Sequence, residues 1–479
     1  MKILVVGAGT AGLISALILK KKLDCQVDVL YSEQIGIVGV GEGSTEHFSE
    51  FLEYVGIDYK EIIKECGATY KAGILFDGWS EKKYMHSVIY PYDQKNAQYS
   101  IIYAKCILDK KMLHPEYFFE NMLPIDDLNL KKSNFNQYHF DTNKLNDFLI
   151  KKCKKNGIVF FEDQVVDVNI DNEGKIKNLL GNKKNYHYDF YIDSTGLKGV
   201  LISKMGGKWK SFSEYLNMNS AIVFSSGDEE NYNLGTLSKA MDYGWRFKIP
   251  AWGRHGNGYI YDNNYISSEQ ARLEIEKDVG FEVKIAKEFH FDPGYIDRPW
   301  IKNCCAIGLS SSFVEPLEAS SIGTSIQQAF LLMHRISNYS DLEIKEYNKN
   351  FASIMNNIRD FIFLHYITKR KNSDMWKDIS KREAPESLKN KMSLWKNRLP
   401  IQEDFFEDSN YCLFREDNFI HVLNGLNLIN KDSIFKEYSF NYEKNKNDIH
   451  LFLNKQKENE QKMKKITHKQ FLKHIKDNF

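Results

Sequence analysis

The chain has 479 residues, 42% of them hydrophobic, with a formal net charge of +1 from 65 basic and 64 acidic side chains. That is enough apolar material for one large core or a few interleaved ones, which excludes a disordered chain. The balanced charge gives no global field that would draw in nucleic acid or an anionic membrane. No run of about eighteen apolar residues exists to span a bilayer, and Met1-Lys2 leads directly into Ile3-Leu4-Val5-Val6 without a signal-peptide cleavage pattern. The seven cysteines form no CxxC pair. The expectation is a cytoplasmic protein with reduced cysteines, no metal site, and neither nucleic acid nor membrane as a partner.

The first element is an apolar, β-branched strand, Lys2 to Val6. It is followed at once by Gly7-Ala8-Gly9-Thr10-Ala11-Gly12 and a helical pattern through Leu13, Ala16, Leu17 and Leu19. A strand, a glycine turn and a helix in that order allow a tight turn, close backbone approach to a pyrophosphate and close helix packing, with the helix N-terminus facing the anion. A second strand, Gln26 to Leu30, ends in Tyr31-Ser32-Glu33, so the acid expected to bind a ribose is displaced or absent, with Glu33 a candidate and no more. A second glycine cluster, Gly39-Val40-Gly41-Glu42-Gly43-Ser44-Thr45, interrupts what would be an ordinary nicotinamide-binding unit. Small residues there let backbone pass close to a cofactor, although a surface loop also uses them.

Further along, Asn143 to Asn156 reads as a helix closed by Gly157, followed by strands at Ile158 to Phe161 and from Val165, with a hairpin turn at Asn172-Glu173-Gly174. A buried strand then ends in Asp193-Ser194-Thr195-Gly196. Strand-like stretches at Ala221 to Phe224 and Tyr259 to Tyr261 suggest a mostly antiparallel sheet carrying Gly244 to Pro250. On such a strand Trp245 and Phe247 share one face while Arg246 and Lys248 share the other. Cys304 to Leu309 is another strand, leading through a small-residue loop and Glu315-Pro316-Leu317-Glu318 to a helix from Thr324. From Ile344 onward the pattern is helical and Lys-rich, with a loop expected near Tyr442 to Asn447. A chain that returns to its cofactor several times is not a simple two-half dinucleotide enzyme.

Together with Tyr70-Lys71-Ala72-Gly73-Ile74, Tyr138-His139-Phe140-Asp141, Arg359-Asp360-Phe361, Leu364-His365-Tyr366 and Val422-Leu423-Asn424-Gly425, these elements resemble the flavin-dependent tryptophan halogenases over nearly the whole chain. The resemblance implies a mixed α/β fold. Residues 1–345 would form an FAD-binding flavin-monooxygenase-type module interleaved with substrate-sheet segments at about 81–135 and 205–300, and residues 346–479 a mainly helical cap. It implies FAD contacts from Gly7, Gly9, Thr10, Ala11, Gly12, Ser32, Ile35, Gly39, Gly41, Glu42, Val165, Gly196, Leu309 and Ile322.

The chemistry implied begins with FADH2 from a separate flavin reductase, which with oxygen and halide yields hypohalous acid. That acid would reach Lys71, the match to the family's catalytic lysine, beside an electron-rich aromatic substrate. An ammonium there can hydrogen-bond the acid and polarise its halogen. Glu318 matches the catalytic glutamate, which orients the halogenating species or accepts the proton leaving the ring.

Halide binding falls to Ser320 and Ser321, where the family usually has Thr-Gly. Substrate contacts fall to His86, Trp245 and Phe247, although the family's His-Pro-Phe wall here reads His86-Ser87-Val88 and its WxWxIP signature has Phe247 for the second Trp. Free tryptophan as the native substrate is therefore less expected than halogenation itself, and the substrate is left as an electron-rich, indole-like aromatic. The resemblance leaves open a homodimer, a monooxygenase on the same scaffold and a non-catalytic flavin-binding homologue.

Overall fold

The computed structural model describes residues 1–36, 42–88, 99–124, 135–462 and 464–478. Its first layer is a six-stranded sheet in the order Trp300–Ile301, Cys304–Ala306, Phe190–Asp193, Lys2–Val6, Gln26–Tyr31, Val159–Glu162. Lys2–Val6 lies at its centre and pairs in parallel with both neighbours; only the edge strand Trp300–Ile301 runs antiparallel. Because alternate side chains leave a strand on opposite faces, Ile3 and Val5 pack with Leu13, Ile14 and Leu17 of the helix Thr10–Lys22. Leu4 and Val6 face the other way, onto Val168, Ile176 and Leu179 of a small antiparallel sheet. Burial on both faces explains the unbroken apolar run of the first strand.

A seven-stranded sheet forms the second layer, ordered Lys287–His290, Ser220–Ser226, Arg254–Tyr261, Gly244–Ala251, Gly235–Ala240, Gly73–Asp77, Tyr84–Ser87. All its pairs are antiparallel except Gly235–Ala240 with Gly73–Asp77. It recruits Gly73–Asp77, which precedes the 81–135 segment, and residues 89–98 and 125–134 of that segment lie outside the described residues. Trp245 and Phe247 point into the main core. On the opposite face Arg246 pairs with Asp278 at 2.5 Å and Lys248 pairs with Glu229, the division that period-two alternation requires.

A separate three-stranded sheet places Tyr138–Phe140 between Glu42–Gly43 and Thr69–Tyr70. This small sheet brings the end of the second glycine cluster against the strand that leads into Lys71.

The C-terminal part is built on the helix Asp341–His365 and ends in the helix His468–Asn478. The loop expected near Tyr442 to Asn447 is instead internal to one helix, Lys431–Lys462. Its sequence contains neither proline nor glycine, and Ile434, Tyr438 and Ile449 fall on one face that packs against Ile101, Ile102 and Ile107 of the helix Tyr99–Leu108. Tertiary burial of that stripe outweighs the polar, Asn-rich composition between its members. No helix among the described residues is long and apolar enough to cross a membrane.

Ile449 is fully buried in this contact. Ile449→Ala should therefore cost about 2–5 kcal/mol, read as a lower midpoint in urea unfolding; an unchanged midpoint would contradict the packing described.

Candidate active site

Parallel strands present their carboxyl ends at one edge of the first sheet, where ligands of open α/β sheets bind. Gly7 to Gly12, Ser32 to Ile35, Ser194 to Gly196 and Gly308 to Ser310 all follow strands that end there. The glycines have separable roles. Gly7 has φ +112°, and a Cβ on it would lie 2.1 Å from Ser194 O; a Cβ on Gly12 would lie 2.2 Å from Gly7 O. Both are packing glycines. A Cβ on Gly9 would meet nothing within 4 Å. Gly9 starts the helix Thr10–Lys22 with no side-chain cap on its free N–H groups, and Thr10 and Ala11 are half-buried beside it. An open backbone at an uncapped helix N-terminus fits a pyrophosphate.

Asp193 organises the neighbouring turn, accepting hydrogen bonds from the Thr195 amide and hydroxyl at 3.0 and 2.7 Å and from the Leu201 and Ile202 amides at 2.8 Å each. Gly196 follows at φ +72° with open space where a Cβ would stand. The two buried acids near the expected ribose position are occupied: Asp28 accepts from Tyr188 Oη at 2.6 Å and Asp163 from Tyr186 Oη at 3.0 Å. Ser32 is half-buried, while Glu33 and Ile35 are exposed at the strand end. Val165 and Leu309 are half-buried and Ile322 is buried. Gly39 and Gly41 lie outside the described residues. Desolvation raises the carboxyl of Glu42 to about 7.

Lys71 is 1% exposed. Its backbone N–H donates to Gln137 O at 3.0 Å, and its Nζ donates to Ser44 O at 2.7 Å. Burial lowers its ammonium to about 8, against the opposing pull of the Glu318 and Glu46 carboxylates. Glu318 is 2% exposed. Burial by itself would raise its carboxyl, but His86 and His365 outweigh that and hold it at about 2. His86 Nδ1 lies 2.8 Å from Oε2, and His365 Nε2 lies 2.8 Å from Oε1.

Gly43 joins the two halves of the site, since a Cβ on it would stand 3.4 Å from Ala319 Cβ and 3.6 Å from Lys71 Cδ. The structure thus brings Lys71 and the residues around Glu318 to one interior position from separate elements.

Ala319 has φ +54°, a left-handed conformation for a non-glycine residue. It turns the chain from Glu318 directly into the helix Ser320–Met333, which has no side-chain cap. That helix begins before the expected Thr324, because the turn replaces the usual capping residue that would have marked its start. Ser320 is buried and Ser321 half-buried in its first turn, where free amides favour an anion.

Trp245 donates its indole N–H to Glu315 Oε2 at 2.7 Å, and Tyr366 Oη donates to the same oxygen at 2.5 Å. Burial pushes the Glu315 carboxyl up to about 7. Phe247 lies beside Trp245, ring centroids 6.1 Å apart. Both nitrogens of His86 are engaged, one by Glu318 and one by Asn418 Nδ2 at 3.1 Å, so only the faces of its ring remain for a planar ligand. Sequence reasoning missed Glu315, His365 and Asn418 as members of the site. Glu315 and His365 stand inside motifs that were noticed, but no local pattern links either to its partner.

The profile of the family described as tryptophan halogenase matches residues 2–434. Tryptophan 6-halogenase SttH of Streptomyces toxytricini is 30% identical over 451 residues, covering 85% of this chain and 86% of that relative. The crystal structure of the same protein superposes with a TM-score of 0.85 at 25% identity, covering 99% of each chain. Xcc4156, a flavin-dependent halogenase from Xanthomonas campestris, shares the fold with a TM-score of 0.83 at 24% identity, covering 99% of this chain and 98% of its own.

The distinct roles of the glycines are testable without any ligand. Gly12→Ala should lower the melting temperature by several degrees, because its Cβ has no room. Gly9→Ala, with open space and an ordinary φ of −73°, should leave it unchanged or slightly raised. Equal losses in both variants would contradict this reading of the turn.

Proposed function

The chain belongs to the tryptophan halogenase family, and on that premise we propose how its own residues halogenate an electron-rich, indole-like aromatic substrate. As a flavin-dependent halogenase it works with FADH2, oxygen and halide, and a separate flavin reductase supplies the reduced flavin. Reduced FAD with oxygen and halide supplies the hypohalous acid. Gly9, Thr10, Ala11 and Gly196 would hold the dinucleotide; open backbone at Gly9 and Gly196 and the uncapped helix start support this. Ser320 and Ser321 would hold the halide at the first turn of their helix. The seven free cysteines support a reducing, cytoplasmic setting.

The observation that carries the reading is a buried ammonium and a buried carboxylate brought to one interior position without direct contact, with Gly43 between Lys71 and the turn that follows Glu318. Lys71 donates a hydrogen bond to the oxygen of the hypohalous acid, which leaves the halogen electron-poor. A ring carbon of the substrate attacks the halogen, the carbon–halogen bond forms and the halogen–oxygen bond breaks. The departing hydroxide takes a proton from Lys71 and leaves as water. Glu318 takes the proton from the substituted ring carbon, restoring aromaticity. Return of that proton to Lys71 resets both groups, so the products are aryl halide and water. An ammonium lowered by burial gives up its proton more readily than a solvated one, which suits Lys71 to this task. Trp245, held by Glu315, and Phe247 form an apolar wall suited to an aromatic ring.

The test is incubation with FAD, a flavin reductase, NADH, oxygen and bromide against pooled indoles, phenols and pyrroles, with mass spectrometry reading bromine's two-isotope pattern. Brominated product is expected from the wild type, with a loss of about a hundredfold or more in Lys71→Ala and Glu318→Gln. Hydroxylated product from both wild type and Lys71→Ala, without bromination, would overturn the reading in favour of a monooxygenase.

A further inference from the structure

Glu318 is enclosed between two histidines from distant elements, His86 on the strand Tyr84–Ser87 and His365 at the end of the helix Asp341–His365. Hydrogen-bond direction assigns their protons. Asn418 Oδ1 accepts from the Arg415 amide at 2.7 Å, which fixes the Asn418 amide so that its Nδ2 donates to His86 Nε2. The one proton of a neutral His86 ring therefore sits on Nδ1 and is donated to Glu318 Oε2. His365 differs. Its Nδ1 lies 2.8 Å from Phe361 O, a carbonyl that can only accept, so Nδ1 carries a proton. Its Nε2 nevertheless stands 2.8 Å from Glu318 Oε1, an ion-pair contact not aligned as a hydrogen bond. Two bare acceptors that close repel, and a proton on one of them relieves the repulsion.

We propose that His365 carries that proton, and that His365 and His86 are positioning residues that keep Glu318 ionised and fix its carboxylate for the ring proton. The proposal rests on the reading of Glu318 as proton acceptor. The ionised carboxylate is favoured because Oε2 accepts the hydrogen bond from His86 and the Lys71 ammonium stands near enough to feel the Glu318 charge, so the shared proton falls to His365. His365 is wedged between Phe76 and Phe361, with ring centroids at 4.8 and 5.0 Å, and is fully buried. The other groups facing this cluster leave its balance intact. Lys71 contributes a positive charge. Tyr84 is pushed well above the usual phenol range by burial and then by the Glu318 charge. His421, beyond His86 at 6.1 Å between centroids, is held well below the usual imidazole range by burial, and is neutral. The carboxyl of Glu318 itself lies far below its ordinary value, as a paired carboxylate should.

The test compares wild type with His365→Gln, which retains a donor toward Glu318 without the charge, and His365→Phe, which removes both. An infrared difference spectrum of each against its own Glu318→Gln partner reads the resting state of Glu318 without turnover. The expected result is an ionised carboxylate in wild type at neutral pH and a protonated carboxyl C=O stretch in both His365 variants. In the halogenation assay, kcat of His365→Gln should acquire an acidic limb, falling about tenfold per pH unit below its new midpoint, with KM unchanged and wild type flat over the same range. A Glu318 that remains ionised in both variants overturns the proposal, as does a loss of activity uniform in pH. Absence of halogenation with the expected infrared change would count against the function assigned to Glu318 and leave the proton assignment standing.

Discussion

The site depends on one constraint: an ammonium and a carboxylate are buried in the same interior without neutralising each other by direct contact. Placing Lys71 there costs the fold on the order of 3 kcal/mol in its charged form. Because its folded-state value lies below that of the unfolded chain, the cost is fully present below about pH 8 and is relieved as pH rises toward 10.5. Partial compensation comes from Ser44 O and the charges of Glu318 and Glu46. Glu318 is stabilised by its two histidines rather than by the lysine. Each charge thus has its own support, which in the proposed reaction leaves Lys71 free for a neutral acid that needs a hydrogen-bond donor, and Glu318 for a ring proton.

The architecture delivers these two groups from opposite directions. The small sheet of Glu42–Gly43, Tyr138–Phe140 and Thr69–Tyr70 sets the backbone of Lys71, and Gly43 is the thin point where this sheet meets Ala319. On the other side the left-handed Ala319, a strain on the order of 1 kcal/mol, aims Glu318 and begins the helix Ser320–Met333 in a single turn. One bend therefore places a carboxylate and a set of free helix amides side by side. The same helix reaches the carboxyl edge of the first sheet, where Gln328 Oε1 accepts from the Ser311 hydroxyl at 2.9 Å.

Much of this was legible in the residues, and what was not has a common cause. The strand Lys2–Val6, its glycine turn and the two faces of Gly244–Ala251 follow from local periodicity and from the special tolerance of glycine. The helix Lys431–Lys462 was read as interrupted because its identity comes from packing on Tyr99–Leu108 rather than from its polar sequence. The clamp on Glu318 was invisible for a similar reason: His86 stands 232 residues away, and nothing around either residue states that they meet. His86 is expected among the substrate contacts, and because its nitrogens are committed to Glu318 and Asn418, only its ring faces are left for that role. Motif resemblance pointed to Lys71 and Glu318, the pair proposed to act on substrate, whereas their electrostatic surroundings could only be seen once the chain was folded.

The most direct test of this account is a pH titration of Lys71 in protein labelled with 13C at lysine Cε, with the resonance assigned by its absence in Lys71→Arg. The account predicts a midpoint near 8 in the wild type and a further decrease in Glu318→Gln, which removes a charge that favours the ammonium. A midpoint in the ordinary lysine range, unchanged by Glu318→Gln, would contradict both the burial of Lys71 and its electrostatic link to Glu318.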